Sequence, residues 1–259
     1  EFPAQAVRLF LTRARRQRKT GVALFMDLKA AFYSVLPEYA LGVPMPPARR
    51  RELWVQMGLS EAALQASTDS LESHSELIRK FAVDPVWVRL VQDWHRHCAF
   101  SVPAGQRRVH TYTGCRPGDP LADLVFAMAF LAFQKRVMCV LGDLGLVVTT
   151  EVRGVGIFGG GSDDRQCVPL GLPTFMDDYV VLLESHDAMD MILALPLDTR
   201  SLIHIADEFG FVINLAPAKT EAVISFAGMG KPSVEVVLAG MARDEAGVAY
   251  LLPVDPHRR

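Results

Sequence analysis

Cysteine is scarce in this sequence, and its spacing excludes two common ways of stabilising a small domain. The 259 residues include four cysteines that lie far apart, with no Cys-x-x-Cys pair. This spacing provides neither a zinc knuckle nor an obvious disulfide framework, and it is typical of a reducing compartment. The seven histidines have neither zinc-protease nor deaminase spacing, so we expect them at the surface.

Long apolar runs are also missing. The most apolar helical stretch covers ten residues, 124–133, before Gln134, Lys135 and Arg136. About 20 apolar residues are needed to cross a bilayer, and no secretory signal pattern opens the sequence. We therefore expect a soluble, intracellular protein with no membrane partner. Because the first residue is Glu1 rather than Met, we also expect an excerpt from a longer protein.

A basic surplus, which would indicate a nucleic-acid partner, is absent from the total charge. The 27 Lys and Arg residues face 29 Asp and Glu residues, for a net charge of −2. Phosphate groups must be neutralised on binding, so this balance argues weakly against nucleic acid. The basic residues are nevertheless clustered in 13–19, 49–51 and 107–108. Each cluster is either a phosphate-binding surface or an ordinary solvated helix face.

The sequence pattern predicts mixed α and β structure, with antiparallel hairpins and helices packed on one face of a sheet. The predicted helices are 6–18, a region from about 50 to 80, one opening at Pro85, one opening at Pro120, and one ending at Gly210. The predicted strands are 22–26, 99–102, 108–113, 147–157, a short stretch around 167–168, two halves of 174–183, 211–215 and 221–226.

Three carboxylates occupy positions that solubility does not explain. Asp27 ends the apolar run 22–26, and Asp177 and Asp178 interrupt the apolar segment 174–183. A carboxylate at the mouth of a buried strand needs a cation or hydrogen bonds to offset its desolvation. Two-metal phosphoryl transfer uses such groups, with ions roughly 3.5–4 Å apart and bridged by carboxylates. The alternative for the Asp pair is a plain hairpin turn.

Four segments carry a family resemblance, in the family's order. Residues 25–35 (FMDLKAAFYSV) resemble the first catalytic motif of reverse transcriptases, and 113–121 (TGCRPGDPL) resemble their second palm motif. The segment 175–178 (FMDD) is similar to their aromatic-x-Asp-Asp motif, and 210–221 is similar to the fourth. The non-LTR retrotransposon type, LINE-like, is the most similar subgroup.

The resemblance implies an α+β fold: a right-hand polymerase palm, an antiparallel sheet backed by helices, with part of the fingers. It implies one incomplete domain over 1–259. Fingers and connecting segments would occupy about 1–21 and 46–113, the palm 22–45 and 114–230, and the thumb would be absent. The implied activity is RNA-directed DNA synthesis for a retrotransposon, with an RNA template, a DNA primer and dNTP as partners, in a nuclear or cytoplasmic ribonucleoprotein.

The resemblance also implies roles for individual residues. Asp27 and Asp177 would be ligands of two Mg²⁺ ions, or Mn²⁺, with Asp178 close by, and Lys219 would protonate the leaving pyrophosphate. Phe32 would be the aromatic gate against a 2′-hydroxyl. The second motif's loop would contact nucleotide and template through Gly114, Arg116, Gly118 and Pro120. The alternatives are a core Phe32 on a short helix, a helix-opening Pro120 and a Lys219 exposed on a loop.

The sequence departs from the family pattern at Pro117, where most members have a glutamine that contacts nucleotide or template. Proline cannot make that side-chain hydrogen bond, so two rival functions stay open. One is a degenerate or truncated retroelement fragment that binds nucleic acid without catalysis. The other is a different palm-fold nucleotidyl transferase, which Phe32 and the segment 219–220 disfavour.

Two further patterns are interpreted as structural. Residues 154–159 spell G-x-G-x-x-G, but a dinucleotide site needs a helix to start at the glycines. Here more glycines and then Pro169 follow, which predicts a hairpin turn. Asp163 and Asp164 lack apolar flanks, and we interpret them as solvated residues of that turn.

Overall fold

A computed structural model describes residues 2–35, 37–42, 45–56, 61, 64–65, 68, 84–96, 99–102, 107–110, 114–115, 121–155, 161–175, 178–216 and 219–240. These residues form helices together with small antiparallel sheets, so the predicted α+β class is confirmed at that level.

The elements alternate along the chain. The helices are α1 (Phe2–Arg16), α2 (Ala31–Ser34), α3 (Pro37–Leu41), α4 (Pro47–Gln56), α5 (Pro85–Arg96), α6 (Ala122–Asp143), α7 (Ala188–Glu208) and α8 (Lys231–Gly240). The strands are β1 (Thr20–Met26), β2 (Ala99–Val102), β3 (Arg107–His110), β4 (Thr149–Val155), β5 (Gly161–Pro169), β6 (Thr174–Phe175), β7 (Asp178–Ser185) and β8 (Glu221–Ser225).

The main sheet has four antiparallel strands in the order β6-β7-β1-β8, with the apolar run of the N-terminal segment at its centre. Strand β1 pairs Met26 with Tyr179 of β7 and Phe25 with Glu221 of β8. Its residues 22–24 are fully buried, as a continuous apolar run predicts. The pairs β2-β3 and β4-β5 form separate two-stranded sheets, which confirms both predicted hairpins.

Helices cover both faces of the main sheet, so the prediction that they pack on one face is wrong. Successive strand residues point to opposite faces. Leu24 and Tyr179 point towards α6 and α7, within the largest core cluster. Ala23 and Leu182 point the other way and pack against Val7 and Phe10 of α1. The basic N-terminal segment thus has a structural task, because its apolar face closes the second side of the sheet.

Helix α6 is more than twice as long as the predicted apolar stretch. It continues past Lys135 and Arg136, which are exposed, because Phe133, Val137 and Leu141 recur every four residues and stay buried. By length and composition alone, this helix of 22 residues is apolar enough to cross a membrane. Its buried side belongs to the main core, however, and a core helix passes the same test.

Three local predictions need correction. His95 is buried rather than at the surface, and Trp94 beside it is 53% exposed. Residues 211–215 form no strand, since they pair with the segment that follows β1 only through an isolated bridge between Leu28 and Ile213. Asp163 and Asp164 belong to strand β5, not to the turn before it. The turn itself, 156–160, lies outside the described residues, while the flanking strands β4 and β5 agree with the hairpin interpretation.

Asp198 on α7 gives a pH-dependent prediction. Its side chain is buried, its Oδ2 has no hydrogen-bond partner within the described residues, and burial raises the pKa of this carboxyl. Its protonated form therefore favours folding below about pH 4, and that contribution is lost as the pH rises through the folded-state pKa. We expect Asp198→Asn to be more stable than the unmodified chain at pH 7 by about 1–3 kcal/mol. Urea unfolding at several pH values should show this difference shrinking towards pH 3, and a constant difference would contradict the explanation.

Candidate active site

An open pocket of about 400 Å³ lies at the end of the main sheet where β1 ends and β7 begins. Three polar side chains that the sequence singled out line it: Asp27, Asp178 and Lys219. The remaining walls are apolar and come from the start of α1 and from the strand ends, namely Pro3, Ala4, Val7, Phe25, Met26, Pro173, Tyr179 and Val180.

Asp27 is held on three sides. Its backbone N–H donates to Thr220 Oγ1 at 3.4 Å, and its backbone carbonyl accepts from the Asn214 N–H at 2.8 Å. Its carboxylate Oδ2 accepts from Asn214 Nδ2 at 2.6 Å. The carboxylate is partly buried, with 19% of the side chain exposed. These contacts fix the carboxylate at the mouth of the pocket and leave Oδ1 directed towards Lys219.

Asp178 lies opposite Asp27 in the sheet. The last pair between β1 and β7 joins Met26 to Tyr179, and one further step in that register would join Asp27 to Asp178. Asp178 is the first residue of β7, and its partner in the hairpin is Phe175 of β6. The intervening Asp177 lies outside the described residues. Asp178 therefore belongs to strand β7 and not to the predicted turn.

Lys219 approaches the same carboxylate from the other side of β1. Its Nζ lies 3.9 Å from Asp27 Oδ1, and about half of its side chain is exposed. Two steps beyond the pair of Phe25 with Glu221, the register of β8 brings Lys219 level with Asp27. Lys219 is thus half-exposed in a turn, as the plain alternative expects, but it points into the pocket.

Tyr179 does not contribute its hydroxyl to this site. The side chain points to the face opposite Asp178, its hydroxyl has no hydrogen-bond partner among the described residues, and burial raises its pKa well above the ordinary range. The ring packs edge-on against Phe133 of α6, with ring centres 5.3 Å apart. Tyr179 is therefore a core residue.

Phe32 is not among the residues that line the pocket. It sits on the short helix α2 and stacks on Phe126 of α6, with ring centres 4.4 Å apart. This is the packing that the core alternative predicts, and the gate role stays a prediction. Gly114 packs on the same segment, since its N–H donates to the Val35 carbonyl and its φ is +86°. A Cβ there would lie 3.1 Å from the Tyr33 Cα, so only glycine fits this approach.

The other predicted substrate-binding residues, Arg116, Gly118 and Pro120, lie outside the described residues, as does Pro117. One of the basic clusters can be assigned. Arg49, Arg50 and Arg51 form ion pairs with Glu52, Glu38 and Glu61 respectively. That cluster is an ion-paired helix face, which favours the plain alternative there.

The described carboxylates suit Mg²⁺ chemically. Two carboxylates face one pocket from neighbouring strands, and Mg²⁺ prefers such hard oxygen ligands. Within the part of the chain that the structure describes, no group of three or more His, Cys, Asp or Glu residues is placed to hold a metal. The third predicted ligand, Asp177, is not among those residues. Asp27 and Asp178 are the described residues that would hold the ion.

Asn214 is the site residue whose role the sequence did not reveal. Its amide Oδ1 accepts from the Ala216 N–H at 3.3 Å, which orients Nδ2 towards Asp27. No sequence pattern linked Asn214 to a carboxylate 187 residues away.

If Asp27 binds a metal ion, Asn214→Ala should weaken Mg²⁺ binding without unfolding the protein. Removing a partner that orients a metal ligand typically lowers affinity or activity about 10–100-fold. We expect the Mg²⁺ concentration for half-maximal activity to rise by that factor. Gln92→Ala is the matched control, because it removes another amide hydrogen bond, to the Leu41 carbonyl, away from the pocket. Equal Mg²⁺ dependence in both variants would contradict the assignment.

Comparison with known proteins adds no family assignment. No family model matches the sequence, and no curated protein matches it significantly.

Proposed function

We propose that the chain carries the palm of an RNA-directed DNA polymerase of the retrotransposon type. One observation supports this most: Asp27, Asp178 and Lys219, from three different segments, converge on one pocket at the end of an antiparallel sheet. Their types and order match the resemblance to reverse transcriptases, and two carboxylates beside a lysine suit nucleotidyl transfer from dNTP to a primer 3′-hydroxyl.

Each described residue would have a defined task in this reaction. Asp27, oriented by Asn214, and Asp178 would hold Mg²⁺, which supplies charge stabilisation to a transferring phosphoryl group when bound. Lys219, half-exposed at the pocket mouth, would donate a proton to the leaving pyrophosphate, a contribution of roughly 10²–10⁴-fold in rate. Phe32, fixed against Phe126, would limit the space beneath the incoming sugar.

A fragment that binds nucleic acid without turnover is the second candidate. Pro117, in place of the glutamine usual in the family, favours it, because proline has no side-chain donor for nucleotide or template. The pocket could then persist as a relic of lost chemistry.

Primer extension separates the two candidates. The chain would be given an RNA template, a labelled DNA primer and dNTP, with Mg²⁺ or with a chelator. Extension that requires Mg²⁺ and prefers dNTP over rNTP is the expected result. Primer binding without any extension would overturn the polymerase proposal in favour of the second candidate.

A further inference from the structure

Helix α1 presents arginines on the face that it does not bury against the sheet. Val7, Phe10 and Ala14 are buried, whereas Arg8, Arg15 and Arg16 are exposed and have no ion-pair partner among the described residues. The spacing i, i+7, i+8 places these three on one side of the helix. Arg8 and Arg15 are separated by about 10 Å along the axis.

The other cations of this segment serve the fold. Arg13 pairs with Glu184 at 3.0 Å and donates to the Thr149 carbonyl, and Lys19 pairs with the same Glu184 at 2.7 Å. The segment 8–19 therefore contains two cations that dock the helix and others that point to solvent. The solvent-facing group, which we call the α1 basic face, consists of Arg8, Arg15, Arg16 and Arg18.

Arg18 belongs to this face and occupies a position that normally favours glycine. It has φ +57° immediately after α1. Its N–H donates to the Arg15 carbonyl and the Lys19 N–H donates to the Ala14 carbonyl, which is the hydrogen-bond pattern of a Schellman helix end. A left-handed backbone is unfavourable for residues with a Cβ. An exposed arginine at this strained position points to a use for its charge.

The geometry of the helix indicates which polyanion it would contact. Anionic membranes are bound by helices that insert an apolar face, but the apolar face of α1 is closed against the sheet. Among the α1 side chains whose burial the structure describes, Leu9 is the one large apolar residue that is mostly exposed. The start of α1, through Pro3, Ala4 and Val7, lines the pocket that contains Asp27 and Asp178. A phosphate backbone leaving that pocket would pass Arg8 first and then Arg15 and Arg16, about two turns further on.

We propose that the α1 basic face binds the phosphate backbone of the nucleic acid whose end occupies the pocket. The inference rests on the proposed function for the identity of that nucleic acid. Contacts of this kind position the duplex and carry no sequence information. They also make affinity depend on salt, because each neutralised phosphate releases counterions.

Two double variants with the same loss of charge test the proposal. Arg15→Gln/Arg16→Gln removes two charges from the α1 basic face. The control, Arg89→Gln/Arg200→Gln, removes two exposed arginines from α5 and α7. Binding of a labelled RNA–DNA primer–template duplex would be followed by fluorescence anisotropy from 50 to 300 mM salt, with EDTA present to prevent metal binding and turnover.

In the first variant we expect the slope of log affinity against log salt to fall by roughly 1.8, or about 0.9 for each lost phosphate contact. Affinity near 0.1 M salt should fall about tenfold or more. The control should keep the slope of the unmodified chain. Equal slopes in the two variants would overturn the proposal. It would also be overturned if the first variant lost binding to phosphatidylserine vesicles but bound the duplex as the unmodified chain does.

Arg18→Gly gives a second, independent readout. Glycine relieves the left-handed backbone, so the melting temperature should rise by roughly 2–4 °C, whereas duplex affinity should fall. A residue that merely ends the helix would show the gain in stability with no loss of affinity, and that result would overturn the assignment of Arg18.

The outcomes also separate this proposal from the function on which it rests. If duplex binding depends on the α1 basic face but the chain extends no primer, the proposed binding surface is supported and the proposed polymerase function is rejected. Extension of primers by a chain whose α1 variants bind like the control would reject the surface and retain the polymerase.

Discussion

Asp27→Asn is expected to lower dNTP incorporation by about a thousandfold or more while leaving the fold intact. The amide is the same size as the carboxylate, and its oxygen can still accept the hydrogen bond from Asn214. It carries no charge, however, and binds Mg²⁺ weakly. A metal contribution of several kcal/mol to the transition state corresponds to roughly three powers of ten in rate, since about 1.4 kcal/mol gives one.

The change in stability should be small enough to leave this result interpretable. The ion pair lost from Lys219 spans 3.9 Å and is partly exposed to solvent. Pairs of this kind contribute about 0–1 kcal/mol. Asp143→Asn is the matched control, since it neutralises an exposed acid at the end of α6, away from the pocket. If Asp27→Asn incorporated dNTP at the rate of that control, Asp27 would have no role in the reaction.

Gly228→Ala is expected to destabilise the fold more than the same substitution at Gly114 or Gly145. Gly228 has φ +82°, and a Cβ there would lie 2.5 Å from both the Arg18 and the His186 carbonyl oxygens. The left-handed backbone costs about 1–2 kcal/mol for alanine, and overpacking adds about 1–3 kcal/mol. We expect a loss of about 2–5 kcal/mol and a melting temperature lower by roughly 10 °C.

Gly145→Ala separates the two contributions. Gly145 has a similar φ of +69°, but a Cβ there would meet nothing within 4 Å. Only the backbone contribution applies, so we expect a loss of about 1–2 kcal/mol. Thermal unfolding followed by circular dichroism measures both variants. If Gly228→Ala melts at the same temperature as Gly145→Ala, the close approach of the carbonyls does not limit this position.

Strands of the main sheet could be predicted from the sequence where their burial is nearly complete. The prediction failed where a segment pairs with the sheet only briefly. The run 22–26 contains no polar residue, and it forms most of strand β1, which lies between β7 and β8. Residues 211–215 have a similar composition, but they meet the sheet through one bridge at Ile213 and otherwise form hydrogen bonds as a loop. Composition does not distinguish these two cases, because strand pairing depends on a partner elsewhere in the chain.

The predictions of helix length and of the contacts between site residues were incomplete for related reasons. The apolar stretch stops before the polar residues 134–136, yet α6 continues, because Lys135 and Arg136 are exposed while Val137 and Leu141 stay buried. Likewise, Asp27, Asp178 and Lys219 were recognisable as residue types in motifs. Asn214, which holds Asp27 in place, was not, because its contact exists only after the segments have folded together.

The position of β1 at the centre of the sheet also constrains how the protein is made. Its two neighbours, β7 and β8, follow it by about 150 to 200 residues, so at roughly 5–20 residues per second a ribosome needs on the order of ten seconds or more to deliver them. During that interval α1 is near enough in sequence to shield one face of the strand, and the other face waits for α6. Of the four strands of the main sheet, β1 is synthesised before the other three and is fully paired only when β8 has followed, so its apolar residues wait longest for their partners.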